Sequence, residues 1–324
     1  MRSKPLKLTL AALLLSGVAA FQAYSQTFTG VDLGTPTLKG SVTVNGTEIV
    51  IVGGGNDIWN ASDNCYYYYT PITGNFDVRV RVKSLVRSTA GGTVPGDDGW
   101  AKAELMARLP DGTGLPQGPD PHISMMTTPS DGQNQVAIQY RQQRGGGSQW
   151  PPDIGASIPT VNPTYPNTWM RLVRLGSVFI GYTSPDGQAW LENYRIDTAT
   201  TAGFPPAWAN TINVGLAVTA HNDASTSGAI ATFDDLTFVT DPLVLAIGNG
   251  GGFQVTIGDS AAVVVQSVTQ VLLDGTEDVT AKATVAKNGA VTLVRYNLLA
   301  DKNTFFASGS THTVKVVVAG VGGG

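Results

Sequence analysis

The sequence predicts an all-β protein of two antiparallel modules, and three observations support this fold class. Apolar and polar residues alternate with a period of two, most clearly over residues 76–83. Turn-forming pairs such as Gly176-Ser177 separate the apolar runs. The chain has 324 residues with 39 Gly and 18 Pro, and long helical patterns are missing outside the N-terminus. This length suits about two domains of roughly 100–200 residues each.

Residues 169–190 contain the most complete antiparallel pattern. The run 171–175 stops at Gly176-Ser177, because glycine supplies the positive φ that a type II′ hairpin turn requires. The chain returns over 178–183 and turns again at Ser184-Pro185-Asp186-Gly187, where proline and glycine suit a tight turn. We therefore expect strands joined by two tight turns here.

Residues 1–25 have the features of a secretory leader. Three basic residues open the chain, and the apolar run 8–20 is too short to span a bilayer stably. Ala23-Tyr24-Ser25 places small residues where a signal peptidase reads them, so cleavage before Gln26 is expected. No later apolar run reaches spanning length. The mature protein is therefore predicted to be secreted, with no membrane span after the leader is removed.

Charge and cysteine usage narrow the function classes. The net charge of −4 and the isoelectric point near 5.3 provide no basic field for nucleic acid or an anionic membrane. A single cysteine, Cys65, cannot form an internal disulfide and is expected to be buried. Stability should therefore come from the apolar core.

Residues 26–240 read as about a dozen strands with no helix between them. That pattern favours a two-sheet sandwich of jelly-roll type over an α/β fold. Asn45-Gly46 is the strongest short hairpin signal. The main predicted strands are 41–44, 48–52, 65–70, 76–83, 100–109, 122–127, 135–141, 171–175, 178–183, 213–221 and 229–239.

Several segments of this region together resemble a known family. They are DxxxYxYxPxxGxF at 63–76, WAKAELMAR, QYR, the 169–190 stretch and VGLAVTAHNDASTSGAIATFDDLTF. Their order is similar to that of concanavalin A-like jelly-roll modules, often labelled DUF1349-like or LamG-like, from secreted bacterial proteins. The resemblance covers nearly all of residues 32–239. It implies a lectin- or glucanase-type sandwich used mostly as a binding module, and it brings no catalytic residues with it.

Residues 241–324 differ in composition, because tryptophan is absent and valine, alanine and threonine dominate. Asp274-Gly275 and Asn288-Gly289 mark turns between short apolar runs. The spacing suits a small immunoglobulin-like β-sandwich, similar to the spacer repeats of bacterial surface proteins. The ending AGVGGG has no closing turn, so we expect an incomplete module of a longer chain or a frayed terminus. Either a monomer or a part of a longer polypeptide is expected.

Catalytic motifs are missing from the sequence. Glycan hydrolysis normally needs two carboxylates across a cleft, but the four glutamates are scattered and no ExDxE strand occurs. The three histidines have no partner at zinc-ligand spacing, and no GxSxG elbow is present. No cofactor is predicted. Calcium is left open at Asp234-Asp235, although turn chemistry and strand-end charge are the simpler explanation of that pair.

Binding is the more natural interpretation. Trp150 and Trp208 lie in proline-flanked loops, where each could be a platform for a sugar ring or could pack the loop. The other tryptophans are expected in the core. Strand parity places further polar residues on shared faces, where they would form either a ligand-binding floor or an ordinary solvated surface. These candidates are Lys102, Glu104, Arg108, Gln139, Arg141 and His221.

The sequence thus predicts a non-catalytic, lectin-like carbohydrate-binding module of an exported protein, with a polysaccharide or other glycan as its partner. Two alternatives stay open. One is a structural or adhesive surface module without a sugar site. The other is a glycoside hydrolase that lacks a recognisable motif.

Overall fold

The computed structural model describes residues 6–9, 27–87, 97–205, 208, 211–240, 243–248, 252–258, 264–273, 277–288, 291–297 and 314–321. Contacts divide the chain into two units. The larger unit holds residues 23–188 and 192–238, and the smaller holds 239–324 with 1–22 and 189–191. In both, the described strands pair antiparallel, as the sequence predicts.

The described strands are β1 (Leu6–Thr9), β2 (Thr29–Leu33), β3 (Ser41–Asn45), β4 (Glu48–Gly53), β5 (Cys65–Thr73), β6 (Phe76–Val86), β7 (Lys102–Arg108), β8 (His122–Thr127), β9 (Val136–Arg141), β10 (Ser148–Gln149), β11 (Thr168–Leu175), β12 (Val178–Ser184), β13 (Leu191–Asp197), β14 (Thr211–Thr219), β15 (Ala229–Thr240), β16 (Leu243–Gly248), β17 (Gly252–Gly258), β18 (Val264–Leu273), β19 (Glu277–Asp278), β20 (Thr284–Asn288), β21 (Val291–Asn297) and β22 (Val314–Val321). Helix among the described residues is limited to short 3₁₀ turns at Asp97–Trp100, Pro151–Ile154 and Thr280–Lys282. No helix in the described ranges is long and apolar enough to cross a membrane.

Two seven-stranded sheets form the larger unit. The front sheet has the order β10-β9-β8-β7-β14-β5-β2, and the back sheet has the order β13-β12-β11-β6-β15-β4-β3. Their inner faces share one apolar core, to which the front sheet contributes Leu105 and Ile138 and the back sheet Val80 and Leu172. The predicted two-sheet sandwich is confirmed, and its order is consistent with a jelly roll.

The two sheets differ in what covers their outer faces. On β6 the predicted alternation is confirmed, because buried residues such as Val78 alternate with half-buried polar ones. On β7 every residue is buried, although apolar and polar residues alternate there too. The outer face of the front sheet is therefore covered by loops, and the interpretation of this polar face as an ordinary solvated surface is wrong.

The hairpin between β3 and β4 turns one residue later than its sequence signal suggests. Asn45 is the last paired residue and lies opposite Glu48, so Gly46 and Thr47 form the turn. Gly46 has a φ of 63°, which places it in the left-handed region that glycine adopts without steric cost. A glycine at the first central position of a two-residue turn matches the twist of the flanking strands.

Gly46→Ala is therefore expected to lower the free energy of unfolding by about 1 kcal/mol, the cost of a left-handed alanine. A Cβ atom at Gly46 would have no neighbour within 4 Å, so no clash adds to this cost. Urea unfolding of the variant beside wild type checks the prediction. No change in stability at Gly46→Ala would show that the turn conformation is not required.

The smaller unit contains two four-stranded sheets, ordered β1-β22-β18-β19 and β16-β17-β21-β20. Both contribute to an apolar core that includes Val255, Val271, Tyr296 and Val316. An immunoglobulin-like topology for this unit stays a prediction. So does the leader, of which residues 1–5 and 10–25 lie outside the described residues, while Leu6–Thr9 pairs with β22.

Candidate functional site

The outer face of the front sheet brings together polar residues that are far apart in sequence. Neighbouring strands place Lys102 opposite Thr219, and Ser124 opposite Gln139. Glu104 lies on the same face of β7 as Lys102, two residues further along the strand. Strand parity predicted that these candidates share one face of the sheet. Of the strands that carry them, β7 and β14 are neighbours, whereas β8 lies between β7 and β9.

A cavity of about 310 Å³ opens on this face. Its walls and floor combine indole rings with charged and amide side chains. The lining residues are Asp57, Trp59, Trp100, Lys102, Gln135, Gln139, Trp150, Asp153 and His221. Concave sites of mixed apolar and polar lining are the usual form of small-molecule binding sites, so this cavity is the candidate functional site.

Lys102 forms part of the cavity floor and has its charge balanced locally. Its ammonium donates hydrogen bonds to the carboxylate of Asp57 and, at 3.1 Å, to the carbonyl oxygen of Ile58. The same ammonium lies 5.5 Å from the centre of the Trp59 ring, within cation–π range. His221 Nε2 lies 3.5 Å from the second Asp57 oxygen. Asp57 therefore links Lys102 and His221 across the cavity.

Three polar atoms of the lining are buried without a hydrogen-bond partner among the described residues. They are Gln135 Oε1, Gln139 Oε1 and Trp150 Nε1. Leaving such a group unpaired costs about 1–3 kcal/mol, so native structures normally supply a partner. These two acceptors and one donor belong to residues that line the cavity, so they are the candidate hydrogen-bonding groups for a bound molecule.

Glu104 lies deeper in the face than the lining residues and is fully buried. Neither of its carboxyl oxygens has a hydrogen-bond partner of normal geometry among the described residues. Burial raises the pKa of Glu104 to about 8, because the nearby charge of Lys102 and the hydroxyl of Ser124 offset only part of the desolvation. The carboxyl is therefore protonated at neutral pH.

A buried ionic cluster beside the cavity is centred on Asp63. Arg141 contacts both Asp63 oxygens, at 2.5 and 2.9 Å, and Arg108 donates to one of them. All three side chains have no exposed surface. Burial by itself would raise the pKa of Asp63, but Arg108 and Arg141 outweigh it and hold that pKa at about 2. The cluster therefore stays ionised throughout the physiological pH range.

The two arginines hold loops in place and do not line the cavity. Arg141 donates to the carbonyl oxygens of Trp59 at 2.8 Å and Asn60 at 3.0 Å, and to Ser148 Oγ at 3.0 Å. Arg108 donates to the carbonyl of Gln117 at 2.7 Å. Trp59 is a cavity residue, and Ser148 lies two positions before Trp150. The cluster thus anchors two segments that carry indole walls, a different role from the direct ligand contact expected for Arg108 and Arg141.

Of the two candidate sugar platforms, Trp150 lies in the cavity and Trp208 lies in the core. Trp150 lines the cavity, at the point where β10 ends and Pro151 begins a 3₁₀ turn. Trp208 instead packs edge-on against Phe179, with ring centres 4.9 Å apart, and is only 6% exposed. The prediction of a ligand platform at Trp208 is therefore wrong, because core aromatic residues enclose it.

Two further cavity tryptophans were expected in the core. Trp59 and Trp100 are only partly buried and line the site. Each follows a glycine-rich or acidic turn: Gly53-Gly54-Gly55 precedes Trp59, and Asp97-Asp98-Gly99 precedes Trp100. That context, which resembles the loop context of Trp150, is the sequence signal that could have identified them. Asp57, Gln135 and Asp153 carried no such signal.

Asp234 and Asp235 share a guanidinium in the structure. Arg81 Nη2 lies 2.9 Å from Asp234 Oδ2 and 3.1 Å from Asp235 Oδ2. Across the described part of the chain, no group of three or more His, Cys, Asp or Glu side chains is arranged to hold a metal ion. The arginine occupies the position between the carboxylates where a calcium ion would be expected.

Comparison with known proteins gives similarity only at the level of solved structures. No protein-family model matches the chain, and no curated protein matches it. A functionally unknown protein from Saccharomyces cerevisiae is 18% identical, with a TM-score of 0.43, covering 66% of this chain and 97% of its own. The kappa-carrageenase of Pseudoalteromonas carrageenovora, in complex with an oligotetrasaccharide of kappa-carrageenan, is 9% identical with a TM-score of 0.36, covering 74% and 97%. The exoplasmic/lumenal domain of VIP36, in a Ca2+/Man-bound form, is 12% identical with a TM-score of 0.35, covering 68% and 87%. These similarities are at low sequence identity, and none of them assigns a ligand to this chain.

Proposed function

We propose that the larger unit is a non-catalytic carbohydrate-binding module of an exported protein. The observation that carries this proposal is the cavity itself, where three indole rings stand beside buried polar atoms without partners. Sugars present apolar C–H faces and a rim of hydroxyls, so they require both kinds of surface in one site. The module would attach the protein that contains it to a polysaccharide.

Catalysis is not part of the proposal. Glycoside hydrolysis requires one carboxylate as acid and a second as base or nucleophile across the scissile bond. Among the described residues of this site, Glu104 is fully buried beneath the lining and Asp57 is bound to Lys102. The exposed Asp153 therefore has no second free carboxylate opposite it among those residues. Calcium is not required either, because Lys102, Gln139 and the indoles supply the contacts. The binding measurements below therefore include an arm with EDTA, in which affinity should not change.

Trp150→Ala is expected to weaken glycan binding by about 30-fold or more, which corresponds to the roughly 2 kcal/mol lost at truncated tryptophan hot spots. The measurement is a glycan-array screen of the full chain, followed by calorimetric titration of the best neutral oligosaccharide. Trp169→Ala is the matched control, because Trp169 lies on β11 of the back sheet, 5.7 Å from the Arg81 guanidinium.

Three outcomes would count against the proposal. Equal affinity of Trp150→Ala and wild type would remove the cavity from the binding site. Release of reducing sugar from a bound polysaccharide would favour the hydrolase alternative. Binding to no glycan, with correct folding by circular dichroism, would favour a structural or adhesive module.

A further inference from the structure

The size of the cavity limits what can enter it. Its volume of about 310 Å³ lies at the lower end of the roughly 300–1,000 Å³ typical of small-molecule sites. Three indoles line this space, and its volume is small for a groove that would hold several sugar rings along the sheet. A site of this size accommodates one sugar ring and the linkage next to it, as at the end of a glycan chain.

The hydrogen-bonding groups of the lining specify the complementary groups of the ligand. Gln135 and Gln139 each offer a free carbonyl oxygen, and Trp150 offers a free indole N–H. Gln139 is 3% exposed, so its amide is almost fully buried at the floor. A ligand must donate to the two oxygens and accept from the indole. A hydroxyl group does both, so a ring with several hydroxyls satisfies all three atoms.

The charges of the lining disfavour an anion. Asp57 and Asp153 are negative, whereas Lys102 is the lining's lysine and already binds Asp57 and Ile58. If His221 also carried a positive charge, the two carboxylates and two cations of the described lining would sum to a net charge of zero. Glu104 beneath the floor can add only negative charge. A carboxylate or sulfate on the ligand would therefore gain no unpaired cation and would approach Asp153.

We propose, building on the function proposed above, that this cavity takes a single uncharged, hydroxyl-rich sugar ring and discriminates against the anionic form of the same ring. Asp153, on the exposed rim, is a specificity-determining residue of this site, because its carboxylate repels an acidic substituent. Binding strength should accordingly be set by the terminal ring and should not grow with chain length.

The test compares matched pairs of probes with the full chain at pH 7. The probes are the methyl glycosides of glucose, galactose and mannose, each beside the corresponding uronic acid, and neutral oligosaccharides of two to six rings. We expect the neutral member of the binding pair to be favoured about fivefold, because a like-charge contact at about 4 Å costs roughly 1 kcal/mol in a water-like dielectric. Affinity should stop rising after the first one or two rings.

Asp153→Asn provides the specificity readout, since it removes one rim carboxylate without changing its size. The ratio of neutral to acidic affinity should fall by several-fold. Because the rim carboxylate is gone, this ratio should also depend less on salt concentration than it does in the wild type. Asp235→Asn on β15 is the control for a one-charge change on the back sheet, and it should leave the ratio unchanged. Circular dichroism and thermal melting show whether each variant is folded.

The outcomes separate the two levels of the proposal. If the acidic ring binds as well as the neutral one, or affinity rises steadily to six rings, the inference is wrong while carbohydrate binding stands. An unchanged ratio in Asp153→Asn would likewise overturn the role of Asp153. If no probe binds, the inference is wrong, and the function that it rests on is refuted as well if the glycan array also shows no binding.

Discussion

Replacing Asp63 by asparagine is expected to lower the free energy of unfolding by about 3–5 kcal/mol, the cost of removing one partner from a buried ion pair. Asp63 accepts hydrogen bonds from Arg108 and Arg141, and none of the three side chains reaches solvent. Asparagine keeps the size of the side chain but leaves two guanidinium charges uncompensated. Chemical denaturation at pH 7, monitored by tryptophan fluorescence, measures the loss.

A surface pair provides the matched control for Asp63→Asn. Asp131 lies 3.1 Å from Arg87 and is largely exposed, so Asp131→Asn should change stability by less than about 1 kcal/mol. Similar losses in the two variants would contradict a special role for the buried cluster.

The pH dependence gives an independent readout for Asp63. Its pKa in the folded protein is about 2, below the ordinary value, so its stabilisation is complete above about pH 4 and is lost as the pH falls toward 2. That part of the acid sensitivity should be missing from Asp63→Asn. An unchanged acid-unfolding profile would show that the carboxylate is not ionised in the folded state.

Replacing Glu104 by glutamine should have the opposite effect and should stabilise the protein in mild alkali. The pKa of Glu104 is raised to about 8 in the folded protein by burial, against an ordinary value of 4.5. Between these two values the folded state binds one proton more than the unfolded state, so stability falls as the pH rises. From pH 5 to pH 8 the loss amounts to roughly 3–4 kcal/mol at about 1.4 kcal/mol per pH unit.

Glutamine is uncharged and close in shape, so Glu104→Gln should remove this pH-dependent loss. We expect the variant to differ little from wild type at pH 5 and to be more stable by about 3 kcal/mol at pH 8. Thermal and urea unfolding at both pH values make the comparison. Burial lowers the pKa of His122, on the adjacent strand β8, to well below its ordinary range, so this histidine does not titrate in the same pH window.

Glu192→Gln is the control for Glu104→Gln. Glu192 pairs with Arg195 along β13 at 2.6 Å and is partly exposed, so its replacement should produce no stability gain that grows with pH. If the free energy of unfolding of wild type does not change between pH 5 and pH 8, Glu104 is ionised in the folded state. Its description as a protonated carboxyl is then wrong.

The local sequence pattern was sufficient to predict the strands and the faces on which their side chains lie. Period-two alternation on β7 placed Lys102 and Glu104 on one side, and the turn signals at Gly46 and Gly176 located hairpins to within a residue. These features depend on neighbours along the chain, because side chains alternate across any strand and glycine alone adopts positive φ freely. They could therefore be predicted before any contact was known.

The same reasoning could not decide which tryptophans meet solvent. Trp150 and Trp208 have similar proline-flanked contexts, yet Trp150 lines the cavity and Trp208 packs against Phe179. Trp59 and Trp100 were assigned to the core and stand in the cavity. Whether an aromatic side chain of a loop packs into the core depends on the space left between strands that are distant in sequence. A short stretch of sequence carries no information about that space.

By itself, the sequence determined an all-β chain, the strands of the larger unit and the polar face on which a binding site could lie. Only the tertiary structure decided that Asp63 pairs with both Arg108 and Arg141, and that Glu104 is fully buried with no hydrogen-bond partner of normal geometry among the described residues. Asp63 is 45 residues from Arg108 and 78 from Arg141 along the chain. The burial and charge of a side chain depend on such long-range partners, because electrostatic and desolvation energies follow distance in space and not separation in sequence.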